Sequence, residues 1–137
     1  MVASASVVED VLCFGEATGQ ATASATGGNG NNSYLWSDGQ TTDTAYNLVT
    51  GDYIVTVTDD NGCTTTDTAT ITEPAVITGT DTQIVCDSLT WIDGITYTAS
   101  NNTATHTLTA ANGCDSIVTL DLTINYSPIF SLPSDTI

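Results

Sequence analysis

The side chains in this sequence with chemistry to offer are few: four cysteines, one histidine, two tryptophans and a set of carboxylates. Cys13 and Cys63 fall in the first half, Cys86 and Cys114 in the second. None forms the close-spaced C-x2-C pair that zinc sites favour. The readings are disulfides, a dispersed four-cysteine metal site, or four free thiols. One pair per half invites Cys13–Cys63 and Cys86–Cys114. Four cysteines permit three connectivities, and the internal repeat described below selects this one. Loops of these lengths would constrain the unfolded chain by about 3.5–4 kcal/mol each. Such bridges imply an oxidising, extracellular compartment.

Catalysis has little to work with. His106 stands alone on an alternating run, no G-x-S-x-G elbow occurs, and paired cysteines leave no reactive thiol. Glu9, Glu16 and Glu73 are the candidates for a glycosidase pair, but nothing in the sequence sets two of them across a cleft. The chain reads as non-enzymatic, with no cofactor expected beyond a weak calcium candidate. Asp59, Asp60 and Asn61 supply hard oxygen ligands of the kind Ca²⁺ takes. The same Asp-Asn-Gly stretch is also what a hairpin turn requires. Trp36 and Trp91 are either sugar-stacking platforms or core residues, and their repeated position favours the core.

Charge removes whole classes of partner. Among 137 residues there are 16 acidic side chains and no Lys or Arg, a formal charge of −16. Such a chain cannot neutralise a nucleic-acid backbone or build a polybasic membrane anchor. Apart from the terminal amine and a protonated His106, it has no cation for an internal salt bridge. Apolar burial, backbone hydrogen bonds and cysteines must hold it together. No run approaches transmembrane length, and the first residues show neither a basic stretch nor a long apolar one.

The elements that must position these residues are strands. Thr and Val recur in short alternating runs, and their branched Cβ favours the pleated sheet. Asn, Gly and Asp punctuate them, and no window sustains a helical period. Two blocks carry the same marks. The first has Trp36-Ser37-Asp38-Gly39, the alternating run Asp52 to Thr58, then Asn61-Gly62-Cys63. The second has Trp91-Ile92-Asp93-Gly94, Thr105 to Thr109, then Asn112-Gly113-Cys114. This is an internal repeat. In the first, Tyr53, Val55 and Val57 share one face; in the second, Val118, Leu120, Leu122 and Ile124 do. Asn-Gly then serves the tight turn that follows each block's central run. The expected domains are 1–74 and a smaller 75–126, with 127–137 a tail that docks, opens a further module or donates a strand.

The first block resembles the SprB repeat of Bacteroidota surface adhesins. The motifs that carry the likeness are Val11 to Gly19 around Cys13, Ala25-Thr26-Gly27-Gly28, Tyr34 to Gly39, Gly51 to Asp59, Asn61-Gly62-Cys63 and Ile71-Thr72-Glu73-Pro74. The second block looks like the short Cys…Trp…Gly-Cys-Asp-Ser modules that accompany such repeats. The resemblance implies tandem Ig-like antiparallel β-sandwiches, here with one disulfide each. It also implies export by the type IX route, display at the cell surface and a link to gliding motility, with no catalytic residues. Five Asp-(Ser/Thr)-aliphatic tripeptides resemble the O-glycosylation signal of that phylum, making Thr44, Thr68, Ser88, Ser116 and Thr136 candidate glycan carriers. Asn31 and Asn101 head weaker N-glycosylation sequons.

The expected function is a structural segment of an extracellular adhesin or filament, partnered by neighbouring repeats, by copies of itself and by attached glycans. Two other readings stand beside it: a fibre subunit that adds its tail to the next copy's sheet, and a carbohydrate-binding module with exposed tryptophans.

Overall fold

A computed structural model describes residues 1–128. These residues form strands and turns, with no helix among them. The chain divides into two compact units, Met1–Ala75 and Val76–Ile137. The tail's last nine positions, Thr136 among them, lie outside the described residues.

Unit 1 has six strands: β1 (Val2–Glu9), β2 (Gly19–Thr26), β3 (Ser33–Trp36), β4 (Thr44–Leu48), β5 (Gly51–Thr58) and β6 (Thr64–Ile71). They form two antiparallel three-stranded sheets, ordered β1-β2-β4 and β3-β5-β6. One core lies between them. Ala21, Ala23, Ala45 and Leu48 enter it from the first sheet, and Trp36, Val55, Val57, Ala69 and Ile71 from the second. The small alanines on one side make room for the indole on the other, so interdigitation follows from side-chain size. Val55 and Val57 are buried while Ile54 and the threonines beside them face outward, as the alternation requires. Where the backbone must pass close, glycine is used. A Cβ on Gly19 would lie 2.7 Å from Ile71 Cγ2 and 2.8 Å from the Leu48 carbonyl oxygen.

Unit 2 has β7 (Ile77–Cys86), β8 (Leu89–Thr90), β9 (Thr96–Tyr97), β10 (Thr105–Thr109) and β11 (Asp115–Asn125). The sheet runs β10-β11-β7, with β8-β9 a separate hairpin. Here the expected antiparallel sandwich needs amending. β10 and β11 pair antiparallel, but β7 and β11 pair parallel, from Ile77↔Ser116 to Cys86↔Asn125. Leu120, Leu122 and Ile124 of β11 bury with Trp91, and Val85, Leu89, Tyr97, Ala104 and Val118 pack around them.

The sequence repeat is real in three dimensions at two turns. In the Asn-Gly-Cys hairpins, Gly62 N–H donates to the Asp59 carbonyl and Gly113 N–H to the Ala110 carbonyl, both at 2.9 Å. Gly62 and Gly113 have φ of 82° and 86°, the left-handed corner of a three-residue hairpin loop. In the Trp-x-Asp-Gly turns, Trp36 and Trp91 accept from Gly39 and Gly94 N–H at 2.9 and 3.0 Å. Asp38 and Asp93 then each accept the N–H two residues on. The strands around those turns differ between units.

Candidate functional site

With no Lys or Arg in the sequence, the carboxylates take their partners from N–H and O–H groups. Asp67 Oδ2 on β6 accepts the Ala5 N–H of β1 at 2.7 Å. Asp59 is buried and accepts three backbone donors: Asn61 and Cys63 N–H on Oδ1, Asn29 N–H on Oδ2. Asp60 takes Asn31 N–H at 2.9 Å, so these two aspartates tie the 27–32 loop to the β5–β6 hairpin. In unit 2, Asp81 accepts the Trp91 indole N–H at 2.8 Å and the Gln83 amide at 2.7 Å. Asp87 holds both the N–H and the hydroxyl of Ser127 at 2.8 Å. Tyr97 donates its hydroxyl to Asp93 at 2.6 Å.

These donors stabilise the charged form, so the acid constants move down. The Cys63 N–H is the main cause at Asp59, the Ala5 N–H at Asp67, the Trp91 indole at Asp81 and the Ser127 N–H at Asp87. Burial pushes Asp93 up, but Tyr97, Ile95 and the charge of His106 together carry it below its ordinary value. The Tyr97 phenol is raised in return by its bond to Asp93. Sequence reasoning missed Asp67, Asp81 and Asp87. The signal that could have found them is the absence of Lys and Arg: an inward carboxylate in such a chain must collect N–H donors.

The three proposed calcium ligands do meet in one turn, but the Asp59 and Asp60 oxygens that are placed there face backbone N–H groups. Among the described residues no three His, Cys, Asp or Glu side chains gather at metal-binding spacing.

The cysteines depart from expectation. Cys13 and Cys114 are disulfide-bonded and buried, whereas Cys63 and Cys86 are free thiols and exposed. The bridges Cys13–Cys63 and Cys86–Cys114, one per module, are therefore corrected. Symmetry of sequence misled because Cys63 and Cys114 occupy the same turn position but differ in burial. Cys63 immediately precedes the exposed start of β6, and Cys86 closes the exposed end of β7.

The candidate glycan carriers separate into two kinds. Thr68 on the outer face of β6 and Ser88 in the turn after β7 are exposed. Thr44 is half-buried, its hydroxyl donating to Asp43 and lying 3.3 Å from that of Thr22. Ser116 is half-buried and donates to the Leu108 carbonyl. Asn31 is exposed, while the Asn101 carbonyl oxygen caps the Thr103 and Ala104 N–H groups.

The aromatic and catalytic candidates have structural surroundings. Trp36 and Trp91 are 1% and 5% exposed, so neither indole offers a sugar-stacking face. Trp36 donates its indole N–H to the Thr42 carbonyl at 2.9 Å. His106 stands edge-on to Trp91, ring centres 6.3 Å apart. Glu9 and Glu16 are exposed and Glu73 accepts the Gly15 N–H. An open cleft lined by Ser100, Asn101, Asn102, Asp121, Leu122 and Thr123 contains one carboxylate and no nucleophile–base pair.

The described residues thus form sheets and turns whose loops are tied by carboxylates. Residues 5–41 match the family model of the SprB repeat. The match takes in most of β1, all of β2 and β3, and the Trp36 turn. The SprB repeat is a structural, non-enzymatic repeat of cell-surface proteins. No curated protein matches the chain.

Proposed function

We propose that this chain is a load-transmitting spacer within an extracellular adhesin or surface filament, carrying glycans on exposed hydroxyls and no enzymatic activity of its own. The SprB-repeat match over residues 5–41 carries the reading. The all-β architecture and the disulfide-bonded cysteines support it, since disulfides persist outside the reducing cytosol. Buried tryptophans weigh against the carbohydrate-binding alternative. The formal charge of −16 keeps neighbouring copies soluble and apart. Thr68 and Ser88 are the hydroxyls best placed to carry sugar, and type IX export and gliding are the route and use that the resemblance implies.

The test is display on intact source cells. An antibody raised against the chain is expected to stain unpermeabilised cells, and external proteinase K to remove the stain. Trypsin has no Lys or Arg to cut in this segment. Staining that appears solely after permeabilisation would overturn the reading. The intact mass of native material, before and after Thr68→Ala and Ser88→Ala, reports the sugars; an unmodified mass removes the glycan part.

A further inference from the structure

Among the described residues of unit 2 the first and last strands are direct neighbours and point the same way. β7 begins at Ile77 opposite Ser116 and ends at Cys86 opposite Asn125. The ladder of ten pairs runs without a bulge, about 33 Å at the usual rise of a parallel strand. The chain therefore arrives at one end of this pair and departs at the other. Tension along the chain pulls β7 and β11 past each other along their shared axis. All the interstrand hydrogen bonds then resist together, because none can open before its neighbours. In a parallel ladder those bonds are evenly spaced, so the load divides evenly.

The departure point is fastened as well. Asp87, immediately after β7, stands in the left-handed region with φ of 66°. Its N–H donates to the Asn125 carbonyl, and its carboxylate grips the Ser127 N–H and hydroxyl. The end of β7 is thus bolted to the chain as it leaves β11. On the buried face of the pair, Asp81 of β7 is anchored to Trp91, which packs on Leu120 and Leu122.

We propose that the β7–β11 pair with its Asp87–Ser127 fastening is a tension clamp, making unit 2 strongest against force that enters at Ile77 and leaves beyond Ser127. The proposal builds on the reading of the chain as a spacer in a surface tether. Unit 1 follows the same plan in weaker form. Contacts from Ala5 to Asp67 and from Val11 to Thr72 show β1 and β6 ascending together. Their bridges are isolated ones, two of the three accepted by aspartate side chains.

Single-molecule force spectroscopy tests this on the full chain, held by tags fused at both ends, in reductant so that no disulfide carries load. A second attachment geometry replaces the C-terminal tag with a click handle at Ala111, in the turn before β11. That handle loads the same ladder from the end where Ile77 faces Ser116, so the pairs open one after another. Unit 2 is recognised by a contour gain of roughly 130 Å, shorter than that of unit 1. Its end-to-end rupture force is expected to be several-fold above the force through Ala111. Asp87→Ala is expected to lower the first force and leave the second unchanged. Equal forces in the two geometries, or no resolvable unit 2 rupture end to end, would overturn the clamp. Intracellular location would defeat the surface reading yet leave this ratio intact, so the two failures are distinct.

Discussion

Asp67 on β6 accepts the backbone N–H of Ala5 on β1 at 2.7 Å, closing one seam between the two sheets of unit 1 with a side chain instead of a ladder. β1 is an edge strand whose outward N–H groups would otherwise face solvent or a neighbouring molecule. A carboxylate suits the position because hydrogen bonds to a charged acceptor are the strong ones. In a protein without Lys or Arg, this is how negative charge becomes structural.

The seam gives a pH prediction. The Ala5 N–H holds Asp67 below its ordinary 3.8. Such a group contributes its stabilisation in full above the unfolded value and loses it as pH falls through the folded one. Asp67→Ala is therefore expected to melt below the parent protein at neutral pH. The gap should stay constant down to the ordinary carboxylate range, then close with further acid. Thermal melts of both proteins from about pH 6 to about pH 2 check this. A gap that widens in acid would show that the carboxylate is held in its protonated form instead.

Each core has one large side chain to remove. Trp36 fills the space between alanine-lined strands in unit 1, and Leu120 is fully buried in unit 2. Trp36→Ala is expected to cost about 3–5 kcal/mol and Leu120→Ala about 2–5 kcal/mol. Amide exchange should localise the first loss to β2, β3 and β5, and the second to β7 and β11. Urea titration supplies the magnitudes.

Gly19 tests close packing without touching a large residue. Its φ is ordinary, but a methyl there meets the Leu48 carbonyl and Ile71 within 2.8 Å. Backbone cannot yield as a flexible side chain does, so Gly19→Ala is expected to destabilise by about 1–3 kcal/mol. Gly39→Ala is a useful contrast: its left-handed φ of 95° imposes strain while the space around it is open. Thermal melts of both variants separate crowding from dihedral strain, and an unaffected Gly19→Ala would refute the close contact.

The parts of the fold that could be read ahead of the structure are those where one residue type has one physical job. The alternation in β5 and β11 and the two Asn-Gly turns are of that kind. β7 is the opposite case. Its residues paired to the buried face of β11 include Gly79, Asp81 and Gln83, so hydrophobic periodicity is silent. The strand is held by a parallel ladder and by Trp91 binding Asp81, both long-range. The cysteine pairing failed for a related reason. Two turns of the same sequence and geometry sit in unlike surroundings, and it is surroundings that bury Cys114 and expose Cys63.

Self-repulsion of the acidic surface predicts a salt response. With a formal charge of −16 and no Lys or Arg, exposed carboxylates repel one another in the folded state. Raising ionic strength from about 0.01 M to about 1 M shortens the screening length from roughly 30 Å to roughly 3 Å. The melting temperature is expected to rise over that range, with sodium chloride sufficient and no divalent ion required. A rise seen with calcium and not with sodium chloride at matched ionic strength would point to a specific ion site instead.

Thiol labelling decides the cysteine assignment most directly. Cys63 and Cys86 are free and exposed, whereas Cys13 and Cys114 are bonded and buried. Maleimide added to the native protein without reductant is expected to add two labels, both recovered on peptides containing Cys63 or Cys86. Denaturation with reductant should bring the total to the chain's four cysteines. Peptide mapping matters more than the count, because any single bridge leaves two thiols. Labels on Cys13 or Cys114 before reduction would contradict the bonding found here. No labels at all would mean two bridges, and non-reducing peptide mapping would then decide whether they are the within-block pair that the sequence repeat suggests.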